Sequence, residues 1–202
     1  MAPSTLAAMV ASKPCKDLAD YWTSLRRSDP LPRRAQVDPG AIKPLLPYLY
    51  LYLVEARDSG CIVIRLAGTA LRQLYGIEMT GHDMVALGAP EHQTTRRWRY
   101  LRAAGQPCGI WFLRHQRYGT GAMDEVEHIF LPLIVDGAGP ALPARQFIGI
   151  AASKSGCRWI AGPENERLMT PHAFRFLDIG FGTLETIEPP ALSQQSSLVT
   201  AG

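Results

Sequence analysis

The stretch RLAGTALRQLYGIEMTG, Arg65 to Gly81, decides how this chain folds. A β-like run ends at Gly68-Thr69, a short amphipathic turn follows, and Gly76 and Gly81 punctuate what comes after. A glycine-rich loop between a strand and a helix can cradle a phosphate on its backbone N–H groups. This one contains neither G-x-G-x-x-G nor G-x-x-x-x-G-K-[ST]. Gly68 and Gly76 are separated by seven residues, too far for consecutive amides to converge on one anion. The glycines therefore read as a strand exit and a helix stop. Thr69 can cap a short helix carrying Leu71, Leu74 and Tyr75, and Gly76 can end it in a left-handed conformation.

Upstream, Tyr50–Ala56 and Cys61–Gly68 read as two strands joined by the RDSG turn. Ahead of them, Asp17 opens a helical pattern. Leu18, Tyr21, Trp22 and Leu25 fall at i, i+3, i+4 and i+7 and form one apolar stripe. Asp38 is placed to cap a turn that begins at Pro39, and Pro44 and Pro47 forbid a long helix.

Downstream, EHQTTRRWRYLRAAGQP (residues 91–107) is the clearest helix. Thr94, Trp98 and Leu101 share a face, while Arg96, Arg97, Arg99 and Arg102 spread around the rest and read as a solvated surface. Three strands follow, CGIWFLRHQRY, DEVEHIFLPLIVDG and RQFIGIAAS. Both faces of the middle one are substantially apolar, whereas a sheet with one wet face alternates cleanly. Something must cover the second face. The Trp22 helix or a partner subunit would do so, which makes Leu18, Tyr21, Trp22 and Leu25 candidate partner or dimer contacts. Asp124, Glu125 and Glu127 read as a solvated turn. Runs of strands separated by a block of helices indicate an α+β fold with an antiparallel sheet.

Composition sets the bounds. The chain has 202 residues, 47% of them hydrophobic and 19% charged, enough for one domain with a sizeable core. A net charge of +3 is too mild to mark a dedicated nucleic-acid binder. Cys15, Cys61, Cys108 and Cys157 form no C-x-x-C pair and read as free thiols. The N-terminus lacks the basic residues of a secretory signal, and no apolar run reaches about 18 residues. A cytoplasmic protein is expected.

The order of elements, together with the Tyr-Trp helix, the LPRR and DP punctuation, LLPYLYL and the RLAGTALRQLYG…TG block, resembles the single-domain PAS proteins found mainly in α-proteobacteria. The likeness covers about residues 17–155. It implies a PAS fold, a five-stranded antiparallel sheet with short helices and one longer helix over one face, and a sensor role in signalling. His82-Asp83 after Gly81 departs from the usual pattern. On this reading residues 1–16 are a flexible tail, 17–160 the PAS domain with its N-terminal helix, 161–186 a C-terminal extension and 187–202 a disordered tail. No kinase, cyclase or helix-turn-helix segment has room here, so a signal must leave through a partner or through self-association.

In a PAS fold the core and the pocket are the same place. Tyr75, Trp98 and Trp111 are the expected lining residues, accompanied by Leu101 and Leu113, with Arg114 or His115 as a polar contact; the sequence leaves open which strand parity faces inward. Haem-binding PAS relatives use a His on or near the long helix, and here His92 and His82 are the candidates, though His92 sits in a polar run. Light-sensing relatives place a reactive Cys before that helix. None lies between Gly76 and Glu91, which argues against a flavin adduct. His115 and His128 on neighbouring strands raise the thought of a cross-strand metal, but two unsupported histidines are more economically sheet residues. No G-x-S-x-G or oriented base supports catalysis. The expectation is a non-enzymatic sensor or adaptor that binds a small molecule or a protein. A small enzyme with an α+β cavity and a nucleic-acid accessory protein are the alternatives.

Overall fold

The computed structural model describes residues 5–26, 29–55, 60–88, 90–117, 122–135, 145–154 and 171–184. Six antiparallel strands form one sheet: β1 (Leu49–Glu55), β2 (Cys61–Ala67), β3 (Gly109–Arg117), β4 (Met123–Leu133), β5 (Gln146–Ser153) and β6 (Ala173–Leu177). Their order across the sheet is β2-β1-β5-β4-β3-β6. The expected five strands are all present. The sixth, β6, comes from the stretch read as a C-terminal extension and pairs along the outer edge of β3 from Leu113↔Ala173 to Gly109↔Leu177. Residues 57–59 of the RDSG turn and the tail over 187–202 lie outside the described residues.

Helices cover both faces. On one side lie α2 (Thr69–Tyr75), the loop over 76–88 and α3 (Pro90–Gly105). The short helix ends as its sequence requires: Gly76 has φ 69° and its amide closes onto the Arg72 carbonyl. Gly68, rather than Thr69, occupies the N-cap position. Gly68 is fixed by space. Its amide bonds to the Leu49 carbonyl at 2.8 Å, and a Cβ there would run into the backbone carbonyls of Leu46 and Pro47. The β2 exit and the 3-10 helix Pro39–Tyr48 are thereby pressed together. That helix opens at Asp38, whose carboxylate accepts the Gly40 amide at 2.8 Å, and it kinks at Ile42.

On the other side lies α1 (Lys13–Leu25). It begins four residues earlier than the Asp17 pattern suggested, because Pro14 fits a first turn, where its missing N–H costs nothing. The segment expected as a flexible tail is folded from residue 5 onward, with a 3-10 turn at Ala7–Met9 and Leu6, Ala7 and Val10 buried. Leu18 and Trp22 are fully buried against the distal sheet face, and the Trp22 indole donates to the Pro132 carbonyl at 2.9 Å. Tyr21 is half-buried and its hydroxyl clasps the backbone of Asp38; Leu25, half-buried, ends the helix. The apolar stripe is therefore spent inside the chain. Leu18 and Trp22 are not an exposed dimer surface, and the second apolar face that motivated a dimer is covered internally.

The turn acids also need correction. Asp124 is buried and accepts the Ser153 hydroxyl at 3.1 Å, and Glu127 is fully buried. It projects to the α1 side, where it accepts hydrogen bonds from the Ala11 amide (2.9 Å), the Ser12 amide (2.7 Å) and the Trp111 indole (2.8 Å). Burial pushes this carboxyl up, but the bonds from Ser12, Trp111 and the two amides outweigh that and hold it below its ordinary value.

Two outcomes follow from this packing. Gly68→Ala is expected to lower the unfolding free energy by about 3 kcal/mol in urea titration, because carbonyl backbone cannot step aside as a side chain can. Glu127 has a folded-state pKa below its unfolded one, so its contribution is complete above the unfolded value and is lost as pH falls through the lower folded value. Glu127→Gln is expected to cost about 3 kcal/mol near neutral pH and to flatten the acid limb of stability against pH below about 4.5. An acid limb identical to that of the unaltered protein would remove Glu127 as its origin.

Candidate functional site: a buried cavity with basic and aromatic walls

Strand parity decides which residues meet beneath α2 and α3. The alternation in LYLYLVE turns Tyr50 and Tyr52 to this side, and the β3–β4 register places Phe112 opposite His128 and Ile110 opposite Phe130. These side chains enclose a small cavity of about 30 Å³. Tyr50, Tyr52, Phe112 and Phe130 form its floor, Tyr75 and Tyr100 close it from the helices, and Met79, Met84 and Leu87 close it from the connecting loop. Three polar groups reach in: Arg96 from α3, Arg114 from β3 and His128 from β4.

The aromatic walls are mutually packed. Tyr52 stacks on Phe130 with centroids 4.9 Å apart, and Phe112 stacks on His128 at 4.4 Å. Tyr100 meets Tyr52, Phe130 and Phe147 edge-on. The Tyr50 and Tyr75 hydroxyls are hydrogen-bonded at 2.8 Å, and the Arg114 guanidinium lies over the Tyr75 ring at 4.6 Å. Burial drives the Tyr50, Tyr52 and Tyr100 hydroxyls up, so all three stay protonated donors.

The electrostatics are one-sided, since no Asp or Glu among the described residues lines the cavity. Arg114 is almost completely buried and its Nε–H donates to His128 Nε2 at 3.0 Å. An arginine Nε–H only donates, so His128 Nε2 is the accepting nitrogen and the proton of the neutral ring sits on Nδ1. Burial first, then the Arg114 and Arg96 charges, push His128 well below its ordinary value, which keeps it neutral. Its Nδ1 is buried and has no hydrogen-bond partner among the described residues; the same holds for Arg96 Nη1. Gly88 makes room for that guanidinium, since a Cβ would collide with it.

Of the residues expected to line the pocket, the structure brings Tyr75 and Arg114 to it. Trp98 and Leu101 pack beside the same core further along α3, Trp98 near Phe176 and Leu101 under Gly60. Trp111, Leu113 and His115 have the opposite parity and face the α1 side, where Trp111 reaches Glu127 and His115 stacks on His172. The arginines of α3 are not simply a solvated face. Arg96 points inward, Arg97 donates to the Gly60 carbonyl and pairs with Asp83, and Arg99 covers the Phe174 ring. Sequence reasoning missed the rest of the lining, including the polar Arg96, Tyr100 and His128. The signal available was the parity of β4, in which His128 and Phe130 share a face opposite Glu127.

His115 and His128 lie on opposite faces and cannot share a metal. Among the described residues, one group has the composition of a metal site, His115, Glu125 and His172, with ligand atoms within 4.8 Å of one another. Glu125 already holds the Lys154 ammonium and His172, so its charge is balanced without an ion. Neither His82 nor His92 lines the cavity, and its volume as it stands accommodates neither a haem nor a flavin. Among the described residues no helix is long and apolar enough to cross a membrane.

His128→Phe keeps the ring stack on Phe112 but removes the acceptor of Arg114. It is expected to cost about 2 kcal/mol in urea titration. A stability equal to that of the unaltered protein would show that the Arg114–His128 bond carries no weight.

The geometry can be set beside known proteins. Among curated proteins none matches the chain. Solved structures similar to it include a variant of the RsLOV protein, with 14% identity over 55% of this chain and 64% of that one, at a TM-score of 0.37. The Rhodobacter sphaeroides LOV protein itself is 12% identical over 58% of this chain and 68% of that one, also at 0.37. A fungal LOV domain photoreceptor is 18% identical over 70% and 94%, at 0.36. The chain thus spans just under two thirds of the first of these. The sequence profile of the PAS domain matches residues 10–143, from the start of the α1 region through β4, and on that match the chain belongs to the PAS domain family.

Proposed function

We propose that the chain is a sensory signalling module that responds to a small molecule taken into the cavity beneath α2 and α3. The observation that carries this reading is the cavity itself. It lies within an otherwise well-packed aromatic core, yet polar groups are aimed into it and two of their atoms, Arg96 Nη1 and His128 Nδ1, have no hydrogen-bond partner among the described residues. Buried polar groups are normally satisfied, and an orphan costs about 1–3 kcal/mol. Such a cost is offset when a ligand supplies the partner, as sensing requires.

The response would leave through β4. His128 and Phe130 face the cavity, while Glu127, Ile129 and Leu131 on the same strand face α1. A ligand that favours one setting of His128 and Arg114 would bias the position of the strand. Glu127 holds the amides at the head of α1, so it would pass that bias to the opposite surface. This is a population shift between two settings of α1, read by a partner or by self-association.

The test is native mass spectrometry of the purified protein, followed by thermal unfolding in the presence of the small-molecule fraction of a cell extract. A retained mass, or a rise in Tm of several degrees from one chromatographic fraction, is expected, since ligand binding to the folded state alone stabilises it. A bare chain whose Tm no fraction moves would contradict the reading.

A further inference from the structure

We infer that the ligand of this cavity is a small organic carboxylate, bound through Arg96 and His128. The inference rests on the sensory reading above and deepens it. What the described lining of the cavity lacks is an anionic acceptor; the tyrosine hydroxyls are its neutral ones. Arg96 Nη1 and His128 Nδ1, which have no partner among the described residues, are donors. The histidine is one by necessity, because Arg114 Nε–H occupies the only nitrogen that could accept. The buried tyrosine hydroxyls stay protonated and add further donors.

Charge narrows the class. Two guanidinium groups enter a cavity that no carboxylate among the described residues lines. Buried charge is costly unless paired, so an anion fits where a neutral acceptor such as an amide satisfies the geometry only. A carboxylate is planar and offers two acceptor oxygens, matching a guanidinium on one side and an imidazole N–H on the other. The walls narrow it further. Tyr52, Phe112, Phe130 and Met84 leave room only for an apolar body behind the charged head. The closed volume of about 30 Å³ is near that of one water, so a larger body is accommodated by outward movement of the loop over 76–88, which contributes Met79, Met84 and Leu87.

Acetate, propionate and benzoate are the probes. Each is titrated at constant ionic strength against its neutral amide, with inorganic phosphate as a tetrahedral anion lacking an apolar body. Binding is read by calorimetry and by Tm. At least one carboxylate is expected to bind about tenfold or more tightly than its amide and than phosphate. Arg96→Met, at a half-exposed helix position, is expected to abolish that preference. The His128 Nδ1–H resonance is expected to shift on binding in the unaltered protein, a readout that does not depend on the variant folding. Amides that bind as tightly as the acids, phosphate that binds as tightly, or a preference that survives Arg96→Met would overturn the carboxylate assignment and leave the sensory reading in place. No binding by any acid, with an uncharged molecule retained in the native mass spectrum, would do the same. No binding by any acid in a bare chain whose Tm no extract fraction moves would overturn both.

Discussion

The Glu127 carboxylate has left water altogether and is held by three N–H donors, two from the backbone ahead of α1 and one from Trp111. A buried carboxylate is costly unless its lone pairs are met, so these bonds fix where α1 begins and how it lies. Once the head of the helix is pinned, Leu18 and Trp22 fall onto Ile129, Leu131 and the neighbouring strands, and the Trp22 indole finds the Pro132 carbonyl. The distal face of the sheet is then closed from within the chain. With that face closed, β4 is buried on both sides, and the residue next to Glu127 is His128, which faces the cavity.

Two opposite electrostatic solutions therefore sit back to back on one strand. On the α1 side a negative group is surrounded by donors and is complete. On the cavity side positive and donor groups are gathered without an acid among the described lining residues. The first is a structural clamp. The second is the site at which the proposed ligand would restore the balance. The alternation of side chains along a strand brings the two within one residue of each other without mixing them.

Much of this architecture was legible in the sequence. Turn chemistry located Gly76 and Asp38, and periodicity located β1, β2, α2 and the Trp22 stripe. The apolar character of both faces of β4 correctly required a cover. Less legible was what depends on long-range register. Nothing local to Trp111 or His115 says that they face away from the cavity, because that depends on β3 pairing with β4 at Phe112↔His128. Nothing near Glu127 says that a carboxylate beside a hairpin is buried, because its two backbone donors lie more than a hundred residues away. The N-terminal residues looked like a tail for the same reason: their small apolar side chains gain meaning only against the finished sheet. Arg96 read as one of several surface arginines on a polar helix, and only the placement of Gly88 shows that its guanidinium turns inward.

The central claim is that the cavity and α1 are coupled through β4. Amide hydrogen exchange at Ala11 and Ser12, compared between the free protein and the protein saturated with its tightest carboxylate probe, tests it most directly. Coupling predicts that protection of these two amides changes along with that of the β4 amides. A ligand that alters exchange around Tyr75, Arg96 and His128 but leaves Ala11 and Ser12 untouched would contradict it.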